Sequence, residues 1–174
     1  MAKPYFPVSI SGMPKDVEIA CPSCRSSAKF EAPFLVHDEM PTSATGRVVR
    51  SGGWFIEERF PELVSWEDPD NAARHNYGAA QSVLGVARCP HCSLPRRHLL
   101  DWPADSYFNC QIRGESLWAW NREHMVRIRD YILMEHRPPR SNYGGLGKVP
   151  THFLVAKHRE AAVKAIERAL TRSR

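Results

Sequence analysis

Two tetrapeptides of the same form recur in the chain, Cys21-Pro22-Ser23-Cys24 and Cys89-Pro90-His91-Cys92. Two residues between cysteines let one turn of backbone present both sulfurs to a single metal ion, while N–H groups of the turn point at the thiolates and offset their charge. The proline fixes φ and stiffens that turn. Each tetrapeptide sits in a similar setting: "VEIACPSCRSSAKFEAPF" and "GVARCPHCSLPRRHLLDW" both read as a short strand, a turn and a returning strand. Two such knuckles packed face to face supply four thiolates in a closed tetrahedron, the arrangement zinc takes in structural sites. The expected ligands are Cys21, Cys24, Cys89 and Cys92 and the expected ion is zinc; a cage of this spacing also accommodates a single iron ion.

Cys-Pro-His-Cys is also the active-site tetrapeptide of one kind of thiol–disulfide oxidoreductase. That chemistry places the reactive thiol at the N-terminus of a helix after a buried strand, where the helix dipole lowers its pKa. Here "SLPRRHLLDWP" follows Cys92, with Pro95 and Pro103 leaving little room for a long helix, and no βαβ pattern precedes it. A second Cys-Pro-x-Cys would also have no role, so the metal reading takes precedence. His91, inside the second knuckle, is expected to face solvent. Cys110, in "SYFNCQI", is expected to be a small buried hydrophobe on a strand.

On these residues the chain resembles the zinc-ribbon family, rubredoxin-like knuckles included. The resemblance covers the two knuckles and their flanking strands, and it implies a structural scaffold, since the motif serves many functions. After the second cysteine, where positive φ favours Gly, this chain has Arg25 and Ser93. The 64 residues between Cys24 and Cys89 require an insertion between the knuckles.

The elements that must hold the cysteines follow from the patterning. One domain, 1–174, is expected, with residues 37–84 as the insertion. The insertion opens on a Pro/Ser/Thr/Gly-rich loop or loose hairpin, "HDEMPTSATGRVVRSGG", and continues to Asp70, which is placed to cap a helix from Ala72 to Leu84. Its acidic run, Glu57, Glu58, Glu62, Glu67, Asp68 and Asp70, reads as a solvated face. Beyond the second knuckle, "RRHLLDWP", "DSYFNCQIRG" and "ESLWAW" read as strands that join the knuckle hairpins in a small antiparallel sheet. Trp118 and Trp120 alternate as on a strand and share a face that Trp102 can join. "NREHMVRIRDYILMEH" turns helical, with Met125, Ile128, Tyr131 and Ile132 on one side. Residues 137–150 form a Pro- and Gly-rich flexible connection. Residues 151–174 form an amphipathic helix with Val155, Ala162, Val163, Ile166 and Leu170 as its stripe. The fold class is α+β: a small antiparallel sheet with a four-cysteine zinc ribbon interrupted by a long insertion, plus helices near 121–136 and 152–171, and the metal at the edge of the sheet as scaffold.

No Ser/His/Asp signature, no helical His-Glu-x-x-His and no nucleotide loop is present; in "NYGGLGKV" Asn142 and Val149 occupy positions a phosphate loop needs as Gly and Ser/Thr. The formal net charge is +5. Residues 1–93 hold nine Lys/Arg against eleven Asp/Glu and residues 94–174 fifteen against eight. Arg96, Arg97, Arg113, Arg122, Arg137, Arg140 and Lys148 are therefore expected to contribute to a phosphate-contacting surface. The alternative is pairing of these groups with Asp101, Asp105, Glu115, Glu123 and Glu135. Together these features predict a non-enzymatic, zinc-stabilised adaptor with nucleic acid as the favoured partner and a protein next. The competing class is an enzyme with structural zinc and a site in the insertion or around Cys110. No segment is apolar enough for a membrane span or a signal-peptide core, which points to the cytoplasm.

Overall fold

The computed structural model describes residues 3–5, 13–68, 82–139 and 149–172. Among these residues the strands form three antiparallel sheets, and two α-helices lie in the C-terminal third. The class is α+β.

The first sheet carries the cysteines. It is built from β2 (Val17–Ala20), β3 (Ser27–Glu31), β7 (Ser82–Arg88) and β8 (Pro95–Asp101) in the order β2-β3-β7-β8. Each knuckle closes a hairpin, the first joining β2 to β3 and the second β7 to β8. β3 pairs antiparallel with β7, Lys29 opposite Arg88 and Phe30 opposite Ala87. The start of β3 therefore lies beside the end of β7, and both knuckles emerge at the same end of the sheet.

β7 is buried on both faces. Val83 and Ala87 pack with Val17, Ile19, Leu100 and Trp102, whereas Leu84 and Val86 pack with Phe34, Ile56 and Val64. A strand covered on both sides reads as a continuous apolar run, which periodicity cannot tell from a buried helix. This is why the helix expected from Ala72 to Leu84 fails at its end: residues 82–84 belong to β7, and the rest of that stretch lies outside the described residues. Gly85 sits where an added Cβ would overlap the Phe30 ring and approach Glu31 O to 2.9 Å.

Much of the chain between the knuckles forms a second sheet, β1 (Lys3–Tyr5), β4 (Phe34–His37), β6 (Trp54–Glu58) and β5 (Val48–Ser51), in the order β1-β4-β6-β5. The stretch expected as a loop or loose hairpin thus contributes β5, which pairs along β6. The third sheet is a hairpin of β9 (Phe108–Ile112) and β10 (Glu115–Ala119). Its turn has positive φ at both Arg113 (53°) and Gly114 (83°), the backbone that matches the twist of a two-residue hairpin. The strands expected between 96 and 120 are present but split, β8 joining the knuckles and β9–β10 forming a layer under the helices.

α1 (Arg122–Leu133) is capped by Asn121, whose side chain accepts a hydrogen bond from His124 N. Met125, Ile128, Tyr131 and Ile132 face the core as the spacing predicts. A 3-10 turn (Thr151–Leu154) precedes α2 (Ala156–Arg172) and buries Phe153. The stripe of α2 is Ala162, Ala165, Ile166, Ala169 and Leu170; Val155, expected in it, lies before the helix and is 41% exposed. Small residues on this face let α2 pack close to α1 and β9.

Candidate metal centre

The two knuckles are the same turn. Arg25 N donates to Cys21 O at 2.9 Å and Ser93 N to Cys89 O at 3.0 Å. The two donors, each the residue after a knuckle's second cysteine, both have φ of 63°. The left-handed conformation that favours Gly at this position is kept although neither residue is Gly, at a cost of about 1–2 kcal/mol each.

Paired hairpins bring the sulfurs together across the sheet. Cys21 Sγ lies 3.8 Å from Cys92 Sγ and Cys24 Sγ 3.6 Å from Cys89 Sγ, with all four within 4.8 Å of one another. Four sulfurs about 2.3 Å from a central ion form a tetrahedron with edges of about 3.8 Å. These separations fit that cage, and they are far from the roughly 2.05 Å of a disulfide. Cys21 and Cys89 are buried, Cys92 is half-buried and Cys24 is exposed, so the cluster lies at the end of the sheet with one ligand at the surface. The Ser26 hydroxyl and N–H draw Cys24 down to about 6, whereas Cys92, facing Cys24 and Cys21, is pushed up to about 12. Four thiols this close cannot all ionise on their own, and a cation among them removes that conflict. Ser26 was not singled out in the sequence; a serine two residues past a knuckle carries no spacing signal.

The chain after Cys92 turns directly into β8 at Pro95, so the second knuckle does not open a helix. His91 is exposed, as expected. Cys110 belongs to a different core from the cluster: its Sγ lies 3.6 Å from Ala165 O under the helices, and burial pushes its thiol up.

The basic residues singled out in the sequence have varied fates. Arg96 and Arg97 lie on the outer strand β8, and Arg97 donates to Asp68 Oδ2 at 2.7 Å. Arg113 is exposed in the β9–β10 turn. Arg122 donates to Leu170 O near the end of α2, and Arg137 donates to Tyr131 O, Ile132 O and Leu154 O. These two guanidiniums thus satisfy terminal carbonyls of helical segments. Arg140 and Lys148 lie outside the described residues. Of the acidic partners considered for them, Asp105 instead bonds His98 Nε2 at 2.8 Å.

The acidic run divides: Glu62 and Glu67 are exposed as expected and Asp68 is half-buried, Asp70 lies outside the described residues, and Glu57 and Glu58 depart from the expected solvated face. Glu57 and Glu58 are 4% and 0% exposed. Glu57 accepts from Thr45 N at 2.9 Å, from the Thr45 hydroxyl and from His37 Nε2 at 2.8 Å. Burial opposes its charge, but Thr45 and His37 outweigh burial and hold the carboxyl below its ordinary range. Glu58 accepts from Ser65 Oγ and Trp66 N. Both carboxylates fasten loops of the second sheet to β6. Trp102 and Trp120 stack at 4.1 Å with Trp118 edge-on to both, and this cluster covers the core that includes Cys21 and Cys89.

Compared with protein-family models, with curated proteins and with solved structures, the chain matches none. Among the described residues no helix is long and apolar enough to cross a membrane.

Proposed function

We propose that the chain is a non-enzymatic, zinc-stabilised binding protein whose zinc-ribbon knuckles hold one structural ion, with nucleic acid as its partner. The observation that carries the reading is the pair of inter-knuckle sulfur distances, 3.6 and 3.8 Å, made by two identical turns. Four thiolates fill the coordination sphere and leave no position for a substrate or an activated water, which is the mark of a structural zinc. The sulfurs tie two hairpins that pair along β3 and β7, so the ion acts on the fold. A nucleic-acid partner is supported by the fifteen Lys/Arg against eight Asp/Glu after residue 93.

A protein partner is favoured by one separate feature. A cleft of about 460 Å³ on the second sheet is lined by Val36, Ile56, Trp66 and the half-exposed Trp54, together with Lys3, Asp38 and Ser51, an apolar floor with one charge of each sign. Elemental analysis of the purified protein tests the metal, with one zinc per chain expected; a red, visibly absorbing protein identifies iron instead. Binding to short nucleic acids across salt concentrations tests the partner, because phosphate contacts make affinity fall steeply with salt.

A further inference from the structure

Two clefts, of about 660 and 390 Å³, meet at Tyr107 and Arg172, both of which line each of them. The larger runs over Lys29, Arg88 and the His91 turn of the second knuckle. The smaller passes Arg25, in the first knuckle, and Gln111 on β9. Arg172 also lines a third cleft that continues along the last turns of α2 past Arg168 and Lys164. The result is one trough that crosses the outside of both knuckles and follows the end of α2.

Six basic residues line the trough, Arg25, Lys29, Arg88, Lys164, Arg168 and Arg172, against two acidic ones, Glu18 and Glu167. Lys29 pairs with Asp16 at 3.5 Å and Arg88 with Glu31 at 3.1 Å. Glu18 keeps its charge, one oxygen accepting from Ser27 Oγ and the other from Arg122 N, both neutral donors. At the α2 end Lys164 pairs with Glu160 at 2.6 Å, and Glu167 lies beside Arg168 and offsets part of its charge. Arg25, Arg168 and Arg172 form no ion pair among the described residues and outnumber Glu18 and Glu167, which leaves the trough net basic. At the junction of the clefts stands an aromatic ring: Tyr107 is half-buried, packs edge-on against Phe108 at 5.2 Å, and is anchored by its N–H to Glu18 O.

We infer that this trough binds single-stranded nucleic acid, with Arg25, Arg168 and Arg172 contacting phosphates and the Tyr107 ring stacking on a base. A positive channel that tracks a backbone around a fixed aromatic ring is the arrangement that takes an extended strand with its bases splayed out. A duplex, with its bases paired and stacked inside, offers the ring nothing. The inference rests on the nucleic-acid reading above and assigns the contact to exposed arginines rather than to Arg122 and Arg137, which are half-buried on backbone carbonyls; Arg168 is exposed although its Nε donates to Lys164 O at 3.3 Å. Because Arg25 and His91 belong to the knuckle turns, the walls of the trough are held by the metal cluster.

The test uses the zinc-loaded full chain and fluorescence anisotropy with a labelled deoxythymidine 20-mer, its duplex with deoxyadenosine, and three variants. Arg25→Gly combined with Arg172→Ala removes two charges, and the glycine suits the left-handed backbone at 25, so loss of binding does not come from unfolding. The expected result is a loss of about tenfold or more for this variant, with the slope of log affinity against log salt shallower by about 1.4. Tyr107→Ala loses about tenfold and Tyr107→Phe keeps wild-type affinity. If the wild-type protein binds neither oligonucleotide, the nucleic-acid reading itself falls. If it binds but the arginine variant is unchanged, the trough is overturned while that reading stands. Tighter binding of the duplex, or equal loss in Tyr107→Phe and Tyr107→Ala, overturns the single-strand assignment.

Discussion

Cys89 is a buried member of the cluster, and its sulfur closes the cage from the second hairpin. Replacing it with serine leaves three thiolates and an oxygen of the wrong softness. A ligand loss that weakens metal binding about 1,000-fold removes about 4 kcal/mol of linked stability. For a chain of this size that lowers Tm by about 10 °C, and the Cys89→Ser protein should carry no zinc after dialysis. A Cys89→Ser protein that melts with the wild type would show that the cluster does not support the fold. A milder test addresses the turns. Arg25 and Ser93 both hold φ at 63°, so Ser93→Gly relieves left-handed strain while adding entropy to the unfolded chain. The balance should be a gain of up to about 1 kcal/mol, seen as a rise of a few degrees in Tm at unchanged zinc content. At this scale the sequence was informative: the spacing alone selected, from five cysteines, the four whose sulfurs lie within 4.8 Å of one another, and the positive-φ requirement could be located even though neither residue is Gly.

Elements were less readable, and each failure has a physical cause. α1 is legible because Met125, Ile128 and Ile132 keep one face to the core, whereas the first residues of β7 carry no strand periodicity because both its faces are covered. Gly85 marks the same crowding. Gly85→Ala drives a methyl into the Phe30 ring, and overpacking of this kind costs about 1–3 kcal/mol, to be read from denaturant midpoints with an unchanged m-value. Glu57 and Glu58 were misread because adjacent charges look solvated, and a buried carboxylate is recognised only by partners distant in sequence, here His37 and Thr45. This predicts a pH dependence. The folded carboxyl of Glu57 lies below its unfolded value of about 4.3. Its contribution is therefore complete above that unfolded value and is lost as the pH falls through the folded one. Glu57→Gln should cost about 1–3 kcal/mol at neutral pH and flatten the decline of stability in acid. A variant that follows the wild-type acid profile would exclude Glu57 as its source.

At the scale of the whole molecule, three apolar cores among the described residues are served by different elements. One, with Cys21, Cys89, Trp102 and Trp120, lies on the knuckle sheet; a second joins that sheet to the second one through Leu84 and Val86; the third, under α1 and α2, holds Phe108, Leu117, Phe153 and Ile166 and no cluster cysteine. The knuckle sheet meets the helical layer along the outer edge of β2, where Glu18 N bonds Trp120 O, Ala20 N bonds Asp105 O and Tyr107 N bonds Glu18 O. Removing the ion therefore releases the first core directly and the helical core only through that seam. With zinc bound, the shift in tryptophan emission and the loss of ellipticity at 222 nm should coincide on heating. After chelation the emission should shift first, because Trp102, Trp118 and Trp120 sit against the knuckle core, while the helical signal persists to a higher temperature. Coincident transitions in the chelated protein would mean that the β2 seam couples the cores so tightly that they unfold as a single cooperative unit.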